Sequence, residues 1–262
     1  MDETEGIIMV CDTDLVALQE TLYTSSNVTR RWLHCTRRNW IFQSLRRYAL
    51  PTHTRALEVG PGSGVYLPVL AKLFAEVFAT DIEVAFLKHS TPLLKSHQNI
   101  HLVVDDITAS ALPPQSFDLI LCTEVIEHIE NSFEAILGMK RLLKPGGILI
   151  LSTPQRYSPL ELAAKIAFLP GVINIVRRIY GEPILETGHI NLMTSREVEH
   201  QLNSAGFLVS ERHKSGIYLP LIAEFSGESG LKLEKWLEKK LRGKLGDGLL
   251  WTQYYIAHTV NH

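Results

Sequence analysis

Apolar and polar positions along the chain fall into short apolar runs separated by longer stretches of helical periodicity. The runs are Arg55 to Val59, Val77 to Asp81, Ile100 to Val104, Phe117 to Cys122 and Ile148 to Leu151. Each is four to six residues long and bounded by turn residues or acids, which predicts buried strands. Between them lie segments with helical spacing, among them Val65 to Phe74. Strand and helix alternate, so the sheet is expected to be parallel and doubly wound. Downstream, Ser195 to Ala205 reads as a helix capped by Thr194 or Ser195 and closed by Gly206, followed by strands from Phe207 to Ser210 and from Tyr254 to Val260.

Two segments stand outside this alternation. Residues 1–50 precede the first strand and predict a helical cap, with Trp32, Trp40, Ile41 and Leu45 offering a packing face. Residues 155–188 form an insertion after the fifth strand. Its apolar stretches, Pro159 to Pro170 and Val172 to Tyr180, are interrupted by Glu161, Lys165 and Pro170-Gly171, short of the ~18 clean apolar residues a membrane span needs. A lid over an apolar ligand is the preferred reading; membrane-surface contact and packing on a second subunit are the others. The domain reading is a cap over 1–50, an alternating strand-and-helix core over 51–154, a lid over 155–188, and over 189–262 the rest of the sheet with a variable helical segment. Leu231 to Leu241 within it predicts an amphipathic surface helix.

Composition adds bounds rather than identity. The 262 residues are 45% hydrophobic and 21% charged with a net charge of −2, ordinary for one globular enzyme domain and contrary to a broad nucleic-acid footprint. Paired arginines and the lysine-rich stretch from Lys232 to Lys244 read as solvated helix faces. Cys11, Cys35 and Cys122 are odd in number and form no C-x-x-C pair, and Met1-Asp-Glu-Thr-Glu is acidic where a secretory signal is basic. The expected setting is therefore reduced and cytoplasmic.

The chemistry concentrates at the strand ends. Gly60, Gly62 and Gly64 follow the first strand, where glycines let the chain turn sharply and bring backbone N–H groups close to a ligand at a helix start. Asp81 ends the second strand about twenty residues on, where a carboxylate can take both hydroxyls of a ribose. Asp105-Asp106-Ile107 ends the third and can offer an adenine ring an acid and an apolar contact. The spacing G-x-G-x-G differs from the G-x-G-x-x-G of nicotinamide dehydrogenases, which keeps that enzyme class as a less favoured alternative.

The ordered run LEVGPGSGVY, ATDIE, VVDDITASALPPQSFDLILCTEVIEHI and LLKPGGILILSTP resembles the class I S-adenosylmethionine-dependent methyltransferases, in the branch of the ubiquinone and menaquinone methyltransferases. The resemblance is strong over residues 55–154 and looser over GHINLMTSREVEHQLNSAGF. It implies a Rossmann-like seven-stranded sheet, mostly parallel with the last strand antiparallel, and S-adenosylmethionine as cofactor. By the same resemblance Glu58, Gly60, Gly62 and Gly64 surround the methionine part and Asp81 takes the ribose hydroxyls, with Ile82 against the adenine. Asp106 accepts from the adenine amino group, Ile107 packs on the ring, and backbone from Cys122 to Glu124 borders the sulfonium. Cys122 itself reads as a packing residue. The chain departs from the family at Asp105, where a glycine is usual, and at Pro61, which stiffens the glycine turn.

The acceptor side rests on Glu124, Glu127, His128 and His189. Placed on a helix, the first three stand at i, i+3 and i+4 and share one face just past the fourth strand. One reading makes His128 or His189 the general base, with Glu124 beside it. Another makes the four a divalent metal site, such as magnesium, since E-x-x-E-H followed by a later histidine is similar to the magnesium-dependent small-RNA 2′-O-methyltransferases. A structural role is the third. Tyr23, Arg30, Arg31 and Trp32 of the cap reach the active site on one reading and only pack on the other. The expected activity is methyl transfer to oxygen or nitrogen of a small, partly apolar metabolite; the alternative from another class is an inactive methyltransferase fold serving as a binding or regulatory protein.

Overall fold

Seven strands among the described residues lie in one sheet, ordered β3-β2-β1-β4-β5-β7-β6. The structure is a computed structural model and describes residues 22–167 and 189–260. The strands are β1 (Arg55–Val59), β2 (Glu76–Asp81), β3 (Ile100–Val104), β4 (Phe117–Thr123), β5 (Leu143–Pro154), β6 (Phe207–Ser215) and β7 (Thr252–Thr259). β1 to β5 pair in parallel, and β7 runs antiparallel between β5 and β6. The expected Rossmann-like sheet with its antiparallel last strand is therefore present. β5 starts five residues before the predicted Ile148, and β6 runs to Ser215. Pairing carries each strand past its apolar run: β5 lies between β4 and β7, and β6, at the sheet edge, pairs with β7 along its length.

The central strands β1, β4, β5 and β7 bury both faces and so carry continuous apolar runs, whereas the edge strand β6 alternates buried and exposed positions. Leu57, Ile120, Cys122, Leu149, Leu151 and Tyr255 face the helices α4 (Ser132–Leu142) and α6 (Ser195–Ser204). Ala56, Ala79, Leu119, Leu121, Ile150 and Tyr254 face α1 (Val28–Tyr48) and α2 (Leu67–Leu73) on the other side. The cap helix α1 thus shares the sheet's core through Ile41 and Leu45, both fully buried, and each such side chain contributes about 1.5–3 kcal/mol. Asn27 starts α1 by accepting from the backbone N–H groups of Thr29 and Arg30. Of the two expected caps, Thr194 is the one used, and it forms a reciprocal capping box with Glu197 at the start of α6.

The remaining helices are α3 (Val84–Ser90), α5 (Pro159–Ala167), α7 (Pro220–Phe225) and α8 (Gly227–Leu241). α5 is the described part of the expected lid; residues 168–188, with the second apolar stretch, lie outside the described residues, as do 1–21 with Cys11. α8 covers the helix foreseen, but its buried face joins Leu231 to Glu234 and Glu238, while Leu233 and Trp236 are exposed. Among the described residues no helix is long and apolar enough to cross a membrane.

Candidate active site

Parallel pairing puts the carboxyl ends of β1, β2, β3 and β4 on one edge. Val59 pairs with Thr80 and Cys122, and Asp81 with Val104, so the loops after these strands converge where ligands bind in open sheets. The glycine turn after β1 folds back on this edge. Gly60 adopts φ +65°, and a Cβ there would stand 2.5 Å from Val125 Cγ2; Gly64, at φ +71°, would meet Ser90 Oγ at 2.7 Å. Gly62 also has a positive φ. All three carry a left-handed backbone suited to glycine; Gly60 is also closely approached by the loop after β4, and Gly64 by the end of α3.

Glu58 lies under this turn, 1% exposed, and neither carboxylate oxygen has a hydrogen-bond partner. Burial pushes its carboxyl up to about 8. A buried acid without a counter-charge fits a cationic ligand group, as the ammonium of S-adenosylmethionine would supply. Because the folded carboxyl titrates far above its unfolded value of 4.5, the ligand-free protein loses stability as pH rises from about 4.5 to 8. The expected total is ~5 kcal/mol. Melting temperatures across this range should fall for the wild type and stay flatter for Glu58→Gln; equal slopes would show that Glu58 ionises normally.

Asp81 accepts the backbone N–H of Glu83 through Oδ1 at 2.9 Å, and burial raises its carboxyl above the ordinary range. Beside it Ile82 is 63% and Val104 55% exposed, apolar surface suited to an adenine. Asp106 Oδ1 accepts from the backbone and hydroxyl of Thr108 at 2.9 and 2.8 Å, while Ile107 is buried. Asp105 accepts the backbone N–H of Ala111 at 2.8 Å through Oδ1, and its Oδ2 is buried without a partner. Cys122 is buried and its thiol is held well above the ordinary range by burial, then by Glu127 and Glu124, in keeping with a packing role.

The acceptor-side residues do not share a helix face as expected. Glu124 sits at φ +55°, outside the single 3₁₀ turn Ile126–His128, and its backbone N–H donates to Ser152. The left-handed residue breaks the helical register, and Glu124 points elsewhere: Arg37 of α1 donates to its Oε2 at 2.5 Å and Ser152 to its Oε1 at 2.8 Å. Arg37 also lies 5.3 Å from the centroid of the Trp251 ring and bonds His34 at 3.1 Å. Burial, then Arg37 and Arg30, keep His34 well below its ordinary pKa, so it is neutral and accepts. Burial works against the Arg37 charge, but Glu124, with smaller contributions from Tyr66, Tyr23 and Tyr254, more than compensates.

Glu127, His128 and His189 do come together, each offering a ligand atom within 4.8 Å of the others. The two imidazole rings are 5.1 Å apart. Glu127 is fully buried; Thr153 donates to its Oε2 at 3.0 Å, and its Oε1 has no partner. Burial, then the charge of Glu124, push its carboxyl well above the carboxylate range. His189 is fixed from behind by Glu161 of α5, whose other oxygen accepts from Trp251.

The cap reaches this region through residues other than those singled out from sequence. Arg30 pairs with Glu224, Arg31 donates to the Ser25 carbonyl, and Trp32 packs beside Leu33 and Tyr218. Tyr23 stands edge-on to His34. Arg37, His34, Trp251 and Glu161 were missed: helix periodicity marks Arg37 only as one of several paired arginines, and the others acquire meaning only when distant segments meet.

Residues 32–211 match the methyltransferase domain family. Among curated relatives, the ubiquinone biosynthesis O-methyltransferase of Xanthomonas campestris pv. campestris strain B100 is 37% identical over 115 residues, 42% of this chain and 46% of that protein. The chain spans about half the length of the curated relatives it matches. An S-adenosylmethionine-dependent methyltransferase from Aquifex aeolicus aligns over 96% of this chain and 100% of its own, with a TM-score of 0.57 and 14% identity. The phosphoethanolamine N-methyltransferase 2 of Haemonchus contortus, solved with S-adenosyl-L-methionine, aligns over 96% and 58% with a TM-score of 0.61 and 18% identity. At such identities the two structures speak for the fold, and the match over residues 32–211 carries the assignment: the chain belongs to the methyltransferase domain family.

Proposed function

We propose that the protein transfers the methyl group of S-adenosylmethionine to an oxygen or nitrogen of a small, partly apolar metabolite. The observation that carries this reading is the edge itself: a buried, unpartnered Glu58 under a glycine turn, with Asp81, Ile82 and Asp106 beyond it at the ends of β2 and β3. Bound there, the cofactor supplies an activated methyl group. The protein's share is then to align the acceptor, exclude water and receive a proton. Two imidazoles at the mouth of the site suit a hydroxyl acceptor, and the curated relatives named as O-methyltransferases favour oxygen. α5, with Leu162 and Ile166 exposed and Glu161 reaching His189, supports a cover over an apolar acceptor. Transfer of label from methyl-labelled S-adenosylmethionine to a panel of phenols and amines tests the reading. Phenol methylation is expected; saturable cofactor binding with no turnover on any acceptor would favour a binding or regulatory protein instead.

The Glu127, His128 and His189 group favours a second reading in which a divalent cation holds the acceptor oxygen. A cation would answer the unpaired Glu127 Oε1. Glu124, committed to Arg37, stays outside this set. If a cation takes part, chelator treatment should lower turnover at least tenfold and magnesium should restore it. Turnover indifferent to chelator would leave these residues to proton transfer and acceptor alignment.

A further inference from the structure

Glu161 comes from the insertion after β5 and is 5% exposed, an uncommon place for a carboxylate unless it is paired. Both of its oxygens are engaged by groups from distant parts of the chain. Trp251, just before β7, places Nε1 3.2 Å from Oε1, and His189 places Nδ1 3.0 Å from Oε2. An indole N–H can only donate, so Oε1 is an acceptor. With an ionised Glu161, Nδ1 of His189 must carry the proton, and Nε2 is left with its lone pair free to accept. His189 stands 5.1 Å, ring to ring, from His128 and within the same cluster as Glu127.

We infer that Glu161 is the positioning residue of His189: it fixes the imidazole as the Nδ1–H tautomer and so makes Nε2 of His189 the atom that receives the acceptor's proton. This rests on the methyl-transfer reading. As the acceptor oxygen forms its bond to the methyl carbon, the carbon–sulfur bond breaks with its electron pair returning to sulfur, and the hydroxyl proton passes to Nε2. The imidazolium formed then lies against the Glu161 carboxylate, which stabilises it without taking the proton. Trp251 holds the second oxygen and thereby the rotamer. Because Trp251 also lies under Arg37, the cap, the insertion and the segment before the last strand meet around this indole.

Gln at position 161 keeps the shape but has one acceptor oxygen where two donors point, so one of the two bonds must be lost. Nitrogen-15 NMR of histidine-labelled protein at about pH 8.5, where ordinary imidazoles are neutral, reads the tautomer directly, with His189→Ala assigning the signal. The expected result is an Nδ1–H tautomer in the wild type and in Trp251→Phe, and a shift to the Nε2–H or mixed form in Glu161→Gln. A wild-type His189 protonated on Nε2, or a tautomer unmoved by Glu161→Gln, overturns the inference. S-adenosylmethionine affinity should stay within twofold in Glu161→Gln. Absent cofactor binding by the wild type would instead remove the methyl-transfer reading and leave the tautomer result standing.

Discussion

Replacing Asp81 with alanine is expected to weaken S-adenosylmethionine binding by roughly a hundredfold. The carboxylate stands at the carboxyl end of β2, in register with Val104 of β3, with Oδ1 held by the backbone N–H of Glu83. A charged acceptor contributes about 1.5–3 kcal/mol per bond; at the lower figure the two ribose bonds total about 3 kcal/mol, and about 1.4 kcal/mol corresponds to a factor of ten. The fold should hardly change, because Asp81 is only half-buried and caps no long helix. Asp81→Asn separates geometry from charge: it keeps an acceptor but loses the charge, and an intermediate loss is expected. Calorimetric titration checks both; unchanged affinity in the alanine variant would place the ribose elsewhere.

The second large effect belongs to Glu124 and Arg37. Removing one member of a buried pair leaves the other charge without compensation, a loss of about 3–5 kcal/mol when burial is complete. The Arg37 and Glu124 side chains retain 12% and 18% exposure, so the lower end applies. Glu124→Ala should therefore destabilise by about 3 kcal/mol, or roughly 6–12 °C in melting temperature for a chain of this size. Alanine keeps the unfavourable left-handed backbone, so the loss reports the charge; Glu124→Gly relieves that strain and should recover about 1 kcal/mol. Replacing both partners, Arg37→Met with Glu124→Leu, should recover more. The pair ties the cap helix to the loop after β4, so Glu124→Ala should also lower cofactor affinity. A melting temperature within 2 °C of wild type would mean that water compensates Arg37 and that the latch has little weight.

The sheet was legible because its central strands are buried on both faces and carry unbroken apolar runs; Gly60 and Asp81 follow from their spacing at strand ends, whereas the choice of Asp106 over Asp105 rests on the family resemblance. The acceptor side was legible only in its membership. His128, His189 and Glu127 meet as the motif suggests, but Glu124 leaves their face because its φ is +55°, and no pattern of residue types announces a left-handed glutamate. Arg37 and Glu161 could not be found by periodicity. Arg37 is one of several arginines on a polar helix, and Glu161 interrupts an apolar run. Each is explained by partners 87 and 28 residues away along the chain.

The most direct test of the central claim is calorimetric titration of the wild-type protein with S-adenosylmethionine, S-adenosylhomocysteine and NAD. Saturable binding of the first two at micromolar concentration, with none for NAD, is the predicted result. Binding of NAD alone, or of none of the three, would contradict it.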